Sequence, residues 1–186
     1  MADVFDVANY ILKISQDSPD DEDCDLISNM QLQKLVYFCQ GYYLALQGKP
    51  LFNEPIEAWA HGPVCPKLYN TFKRYRSSPI TMSIDPDNIK LDEKEEAIIN
   101  MVYGAYGQYS ASRLRHITHA EGPWKTTALN SVIPEKEMTQ YFDSLIDNND
   151  ITPSTDTEKN ELLKLLEQSE ANGEINMSKI CVPMGR

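Results

Sequence analysis

The chain has 186 residues and a formal net charge of −11, from 17 lysine and arginine residues against 28 aspartate and glutamate residues. This length suits one domain with an appendage, and the acidic balance excludes a protein that mainly coats nucleic acid or anionic membrane, because its average field repels phosphate. No apolar run approaches the roughly 18 residues of a membrane-spanning helix and the first residues lack the basic region of a signal peptide, so we expect a cytoplasmic protein.

The first predicted element is a helix near the N-terminus, where apolar residues recur at steps of three and four from Val4 to Leu12. An acidic stretch follows between Asp17 and Asp25, with six acids and no base. Because like charges repel and nothing there can be buried, we expect a solvated loop. The stretch lacks the Asp-x-Asp-x-Asp-Gly spacing of a calcium loop.

The clearest helix begins after Ser28, which forms a capping-box pattern with Gln31, and it ends at Gly48. An apolar stripe runs through the residues between them, so this is the predicted central helix. Lys34 lies close to that stripe. We expect its aliphatic stem to extend over the edge of the core, rather than its amine to act in catalysis.

A short strand is predicted next, because residues 56–60 (IEAWA) alternate between apolar and polar before His61. A lone strand needs a partner, and we expect one at residues 80–84 or 88–91. A further helix is predicted from Val64 to Tyr75, where apolar residues again recur at helical spacing.

Three more helices complete the predicted domain. Asp92 and Glu95 form a second capping-box pattern, Ser110 caps a helix that stops before Gly122, and Pro134 opens the last one. The sequence therefore predicts a mainly α fold: a compact domain of six helices with at most a short two- or three-stranded β element.

The composition changes after Asp147, where the run NNDITPSTDT contains a single aliphatic residue. We therefore predict a domain over residues 1–147, then a linker and a helical or extended partner-binding tail over residues 148–186. The tail either folds back on the domain or becomes ordered on a partner, because its leucine stripe is too narrow to be stable alone. The stripe includes Leu162, Leu165 and Leu166.

Catalytic and metal-binding patterns are weak. His61 and Cys65 could pair as a nucleophile and its base, but Gly62 and Pro63 separate them, and a buried structural thiol is the preferred interpretation. His116 and His119 could share a metal ion with Glu121, yet they lack the HExxH spacing. The four cysteines form no CxxC pair, and no GxGxxG, P-loop or GxSxG pattern occurs. We expect no enzymatic activity, cofactor or metal.

A positive region stands out against the acidic whole. It comprises Arg113, Arg115, His116, His119 and Lys125. Such a region could receive phosphate or an acidic partner surface, but a solvated helix face that balances nearby acids is the simpler interpretation. Large aromatic residues are also concentrated around two Gly-Pro pairs; most belong in the core, and any left at the surface would favour partner binding.

Three separated blocks carry a family resemblance: LQKLVYFCQGYYLALQGKPLF from Leu32, IEAWAHGPVCPKLYNTFKRY from Ile56 and LRHITHAEGPW from Leu114. Together they resemble the Panacea antitoxin domain, also called SocA-like or phage-associated GepA-like, over about residues 4–146. The resemblance implies a mostly helical domain encoded beside a toxin gene in bacteria and prophages. Such an antitoxin binds and neutralises its toxin protein, and one family member is a proteolytic adaptor that delivers its toxin to a AAA+ protease.

The resemblance also places the family's hallmark residues. These are Lys34, Tyr37, Trp59, Gly62, Pro63, Tyr69, His119, Pro123 and Trp124. We add His61 and Arg115 as candidate partner-binding residues. The expected function is an antitoxin that occludes a surface of a protein toxin, with its negative charge steering it toward a basic toxin site. The alternative is a nucleic-acid-binding regulator of its own operon, although no helix-turn-helix pattern is present.

Overall fold

The computed structural model describes residues 1–17 and 26–147, and these ranges contain seven α-helices and one two-stranded sheet. The helices are α1 (Val4–Asp17), α2 (Asn29–Gln47), α3 (Pro66–Phe72), α4 (Glu93–Tyr106), α5 (Ala111–Ala120), α6 (Gly122–Thr126) and α7 (Glu135–Asp147). The strands are β1 (Glu57–Trp59) and β2 (Gly62–Val64), and two 3-10 turns span Lys73–Tyr75 and Pro86–Asn88. The predicted mainly α fold is confirmed.

Two predicted segments lie outside the described residues. One is most of the acidic stretch, residues 18–25, and the other is the tail over residues 148–186 with Leu162, Leu165 and Leu166. Within the described ranges, none of the helices combines the length and the apolar character that crossing a membrane requires.

The central helix α2 begins and ends where its sequence predicts. Ser28 Oγ accepts a hydrogen bond from the Gln31 backbone N–H, and the Gln31 side chain accepts one from the Ser28 backbone N–H at 3.0 Å. At the other end, Gly48 has φ 64°, a left-handed conformation that glycine adopts without strain. Helices α1, α4, α5 and α7 and strand β2 all pack against α2, so its buried faces form the centre of the core.

The contact between α2 and α7 depends on Gly41. A Cβ atom at this position would overlap the Phe142 ring, so only glycine lets the two helices approach this closely. Around that contact the core is aromatic. Phe38 stacks on Tyr106 with ring centroids 4.2 Å apart, and the Tyr42 and Tyr106 hydroxyls hydrogen-bond at 2.8 Å. The large buried aromatic residues predicted for the core are therefore clustered on and around α2.

Strand β1 was correctly predicted, but its predicted partner was wrong. Its partner is β2, in an antiparallel hairpin that pairs Trp59 with Gly62 and Ala58 with Pro63. Proline has no N–H to donate, so Pro63 fits a short strand like this one. The Gly-Pro pair was interpreted as a break, whereas it forms most of the second strand.

The opposite edge of β1 is also paired. The Ala58 backbone N–H donates to the Ser131 carbonyl at 2.9 Å, and the Asn130 N–H donates to the Ala58 carbonyl at 2.7 Å. The segment that precedes α7 thus lies against β1 as an additional extended piece, and it fixes the hairpin from the side away from β2.

Helix α5 ends before the second Gly-Pro pair, as predicted, but the helix that this pair begins was not predicted. The pair begins the short helix α6, with Pro123 in the first turn, where a missing N–H costs nothing. The domain therefore has one helix more than the six predicted. The predicted helix from Val64 to Tyr75 is shorter than expected, because Val64 belongs to β2 and the last three residues form a 3-10 turn.

Candidate functional site

The hallmark residues come from distant parts of the sequence and meet where α2, the β1–β2 hairpin, α5 and α6 join, with Tyr69 reaching the hairpin from α3. Strand β2 lies between α2 and α5 and contacts both, while α6 packs against α5. This junction has a buried centre and a partly exposed edge, and the two are built from different hallmark residues.

Lys34 lies at the buried centre. Its side chain on α2 is only 1% exposed, so the prediction that it extends over the core edge is wrong. The Lys34 ammonium donates a hydrogen bond to the Pro63 carbonyl at 2.8 Å, which ties α2 to the hairpin. Burial, with a smaller contribution from Arg115, lowers the pKa of Lys34 to about 7, and Glu121 partly opposes the shift.

Gly62 makes the close approach between α2, the hairpin and α5 possible. A Cβ atom here would lie 2.8 Å from Lys34 Nζ and 2.8 Å from Thr118 Oγ1 of α5. The backbone at Gly62 also has φ 99°, which side-chain-bearing residues rarely adopt. Both space and conformation therefore require glycine at this position.

Glu121 faces Lys34 from the junction between α5 and α6. The Glu121 residue is 4% exposed, and burial raises the pKa of its carboxyl to about 8. The Tyr37 hydroxyl and the charge of Lys34 both counteract this rise. Tyr37 is itself fully buried, and burial raises the pKa of its hydroxyl well above the ordinary value, with Glu121 adding to the rise.

Glu121 was predicted only as a candidate metal ligand, and its membership of this buried cluster was not predicted. The sequence signal that it carries is its position directly before Gly122 and Pro123, since an acid often precedes the first turn of a helix. Glu121 does occupy that N-cap position, but its side chain makes no capping hydrogen bond. Its carboxyl belongs to the buried polar cluster.

The partly exposed edge of the junction is a row of aromatic rings. The His119 ring stacks on the Trp124 ring with centroids 3.9 Å apart and an angle of 17° between the planes. The Trp124 indole N–H donates to the Trp59 carbonyl at 3.0 Å, and the Trp59 ring meets the Tyr69 ring edge-on at 4.9 Å. All four side chains are half-buried. We call these four residues the hallmark surface.

A basic patch borders the hallmark surface. It consists of His61 at the hairpin turn and of Arg115 and His116 on α5, all exposed. These three groups and Lys34 lie close enough to His119 to lower its pKa, although burial contributes most to that shift. Arg113 is not part of the patch: its guanidinium lies 6.0 Å from the centroid of the Tyr109 ring, and it is not among the groups that lower the pKa of His119.

The weak catalytic and metal patterns gain no support from the geometry. Cys65 is buried, and burial raises the pKa of its thiol, which keeps the nucleophilic thiolate scarce. His61, its proposed partner, is exposed at the hairpin turn. Among residues 1–17 and 26–147, no three His, Cys, Asp or Glu side chains are placed to share a metal ion.

Comparisons with known proteins match the part of the chain that contains the hallmark residues. A family profile described as "Antitoxin SocA-like, Panacea domain" matches residues 32–125, a range that contains every hallmark residue. Antitoxin SocA of Caulobacter vibrioides (strain NA1000 / CB15N) is 35% identical over 116 residues, which cover 55% of this chain and 60% of the relative. The match thus spans less than two thirds of that relative's length. No solved structure matches this chain.

Proposed function

Because this chain belongs to the SocA-like Panacea antitoxin family, we propose that it neutralises a protein toxin by binding it directly. The observation that carries the proposal is the convergence of the hallmark residues on one junction. These residues are far apart in sequence, between positions 34 and 124, yet five of them are buried beneath the four that form the hallmark surface. Such an arrangement suits a binding site better than a set of independent turn and core residues.

The buried and the partly exposed residues of the junction have different roles, and both roles suit a binding site. Lys34, Tyr37 and Gly62 are buried and fix the hairpin against α2 and α5. The hallmark surface that they support exposes parts of two tryptophans, a tyrosine and a histidine. Protein interfaces are enriched in large aromatic residues of this kind, and rigid support lowers the entropy cost of binding. The toxin therefore docks on the hallmark surface.

Neutralisation by occlusion needs no bond made or broken by the antitoxin itself, so we propose a stoichiometric binding protein without catalytic activity. The protein acts in the cytoplasm, beside the toxin that it inhibits. Its net charge of −11 accelerates encounter with a basic toxin surface, and this steering weakens as salt is added. A proteolytic adaptor differs in one observable: the toxin would be degraded by a AAA+ protease rather than stored in a stable complex.

The partner-binding tail remains a prediction. We propose that the domain ends near residue 147, and that residues 148–186 add contacts to the toxin through Leu162, Leu165 and Leu166. A short leucine stripe gains most of its stability from a partner surface. Removing these residues should therefore weaken neutralisation and leave the domain folded.

The test is co-expression with the protein encoded by the adjacent gene in a bacterial host. We expect that protein alone to stop growth, and the full chain to restore growth and to co-purify with it. Tyr69→Ala should weaken rescue because it removes part of the hallmark surface. Tyr75→Ala is the matched control, since Tyr75 is also half-buried but lies outside that surface.

Two results would contradict the proposal: no complex with the adjacent gene product, or equal loss of rescue in both tyrosine variants. Toxin abundance, followed by immunoblotting, separates occlusion from delivery to a protease. A mobility-shift assay on the promoter of the operon tests the alternative regulatory function.

A further inference from the structure

Helix α5 is one of two basic segments in an acidic chain, the other being Lys73, Arg74 and Arg76 in and after the 3-10 turn that follows α3. The ten residues of α5, ASRLRHITHA, contain two arginines, two histidines and no acid. The basic patch adds His61, which comes from the hairpin rather than from α5. An accumulation of positive charge on neighbouring elements requires an explanation, because the chain as a whole has a net charge of −11.

The acids of the junction are engaged elsewhere. Glu57 of β1 accepts a hydrogen bond from the Trp59 indole N–H at 2.8 Å. Glu121 is the carboxyl that acts on Lys34, and its own pKa is raised to about 8 by burial, so it is largely protonated at neutral pH. Arg115 stays cationic at every physiological pH. Burial is the main cause of the lowered pKa of His119, and Arg115, His61 and His116 lower it further because positive charge nearby opposes protonation of the imidazole.

The helix dipole explains only part of the pattern. Positive side chains are favoured in the last turn of a helix, where His119 lies. Arg115 lies at mid-helix and His61 lies on another element, so the dipole accounts for neither. An external anion next to these groups would relieve their repulsion and add attraction of its own.

We propose that the basic patch of His61, Arg115 and His116 binds an acidic segment of the toxin, whose carboxylates lie beside the His119–Trp124 stack. This inference rests on the proposed antitoxin function and names the chemistry that its surface recognises. Arginine suits such a contact, because its planar guanidinium can bind a carboxylate through two parallel hydrogen bonds.

The dimensions of the patch favour a short protein segment over a nucleic acid. A ten-residue helix is about 15 Å long, so the patch matches a few acidic side chains. A polyanion would extend beyond it and meet the negative charge of the rest of the chain. The partly exposed rings of His119 and Trp124 supply an apolar border that a peptide segment can cover.

The test compares charge reversal at two exposed arginines in the full chain. Arg115→Glu lies in the basic patch, whereas Arg74→Glu lies in the 3-10 turn after α3 and causes the same change in net charge. Binding to the purified product of the adjacent gene is measured by titration calorimetry. We expect Arg115→Glu to raise the dissociation constant about tenfold or more, while Arg74→Glu keeps it near the wild-type value. Arg115→Lys keeps the charge but loses the paired hydrogen bonds, so it should raise the dissociation constant less than Arg115→Glu does.

Salt provides an independent readout. Raising NaCl from about 50 to about 300 mM should weaken binding of the wild-type chain more than binding of Arg115→Glu, because screening acts on a contact that the variant lacks. Circular dichroism checks that each variant is folded. Equal affinities of Arg115→Glu and wild type for the toxin would overturn the inference and leave the antitoxin proposal intact.

The other outcomes are equally distinct. If the wild-type chain forms no complex with the toxin, the proposed function itself fails, and the inference fails with it. If Arg115→Glu abolishes binding to a duplex carrying the operon promoter but leaves toxin binding unchanged, the basic patch serves nucleic acid, and the inference is overturned.

Discussion

Replacing Gly62 with alanine tests how tightly the junction is built. The substitution adds one methyl group at a backbone φ of 99°, where a side chain is strained. It also places that methyl carbon 2.8 Å from both Lys34 Nζ and Thr118 Oγ1. We expect Gly62→Ala to destabilise the domain through two additive effects, strain and crowding.

The magnitude follows from those two effects. Conformational strain at such a position costs about 1–3 kcal/mol, and relieving the crowding costs about 1–3 kcal/mol more. Lys34 could move only by giving up its hydrogen bond to the Pro63 carbonyl. Thr118 could move only by giving up bonds to carbonyls of α5. The free energy of unfolding should therefore fall by about 2–6 kcal/mol.

Gly48→Ala is the matched control. Gly48 also has a positive φ, 64°, but a Cβ atom there would meet nothing within 4 Å, so this variant shows the cost of strain alone, about 1–2 kcal/mol. Urea unfolding followed by circular dichroism gives both values. A loss for Gly62→Ala no larger than that for Gly48→Ala would refute the proposed crowding between α2, the hairpin and α5.

Three further predictions concern packing, charge and the tail. Gly41→Ala should lower the free energy of unfolding by at least about 1–3 kcal/mol, because its Cβ overlaps Phe142. Gly104→Ala, in open space on a helix, should raise it by up to about 1 kcal/mol. Urea unfolding measures both changes, and changes of the same sign would contradict the close packing of α2 on α7 at Gly41. Burial raises the pKa of Glu121 from 4.5 to about 8, so the wild-type domain loses stability as pH rises between those values. Glu121→Gln lacks the carboxyl and should become more stable relative to wild type over that range, by about 5 kcal/mol at most. A difference in unfolding free energy that stays constant across that range would disprove this. Deleting residues 148–186 should leave the melting temperature nearly unchanged but reduce rescue of growth, and undiminished rescue would remove the tail from the mechanism.

Features specified by local sequence were predictable. The capping boxes at Ser28 and Asp92 involve a side chain and a backbone group three residues apart, so the sequence pattern contains both partners. Gly48 likewise ends α2 through its own left-handed conformation. The mainly α fold follows from such signals, together with apolar residues at helical spacing.

Features specified by distant contacts were not predictable from the chain alone. Nothing near Lys34 in sequence shows that its ammonium will be buried, because its acceptor is the carbonyl of Pro63, 29 residues away. The two Gly-Pro pairs were interpreted as breaks, since local rules treat them so. Tertiary context instead made one pair a strand and the other the start of a helix.

The sequence identified some residues of the site but not how they are arranged, because the arrangement depends on contacts between distant parts of the chain. The resemblance marked Trp59, Tyr69, His119 and Trp124 but could not show that they form two ring pairs joined by the hydrogen bond from the Trp124 indole to the Trp59 carbonyl. Glu121 could not be assigned to the buried cluster from the sequence, because its position before Gly122 and Pro123 indicates only the start of a helix. Its significance depends on burial and on its proximity to Lys34, which only the fold reveals.

Hydrogen-exchange mass spectrometry on the complex with the adjacent gene product tests the central claim most directly. If the toxin docks on the hallmark surface, amide protection should increase over residues 59–69 and 111–126, compared with the free protein. The amides of α1 and α4 should change little. Protection confined to α1 and α4, with no change over the hairpin, α5 and α6, would contradict the account.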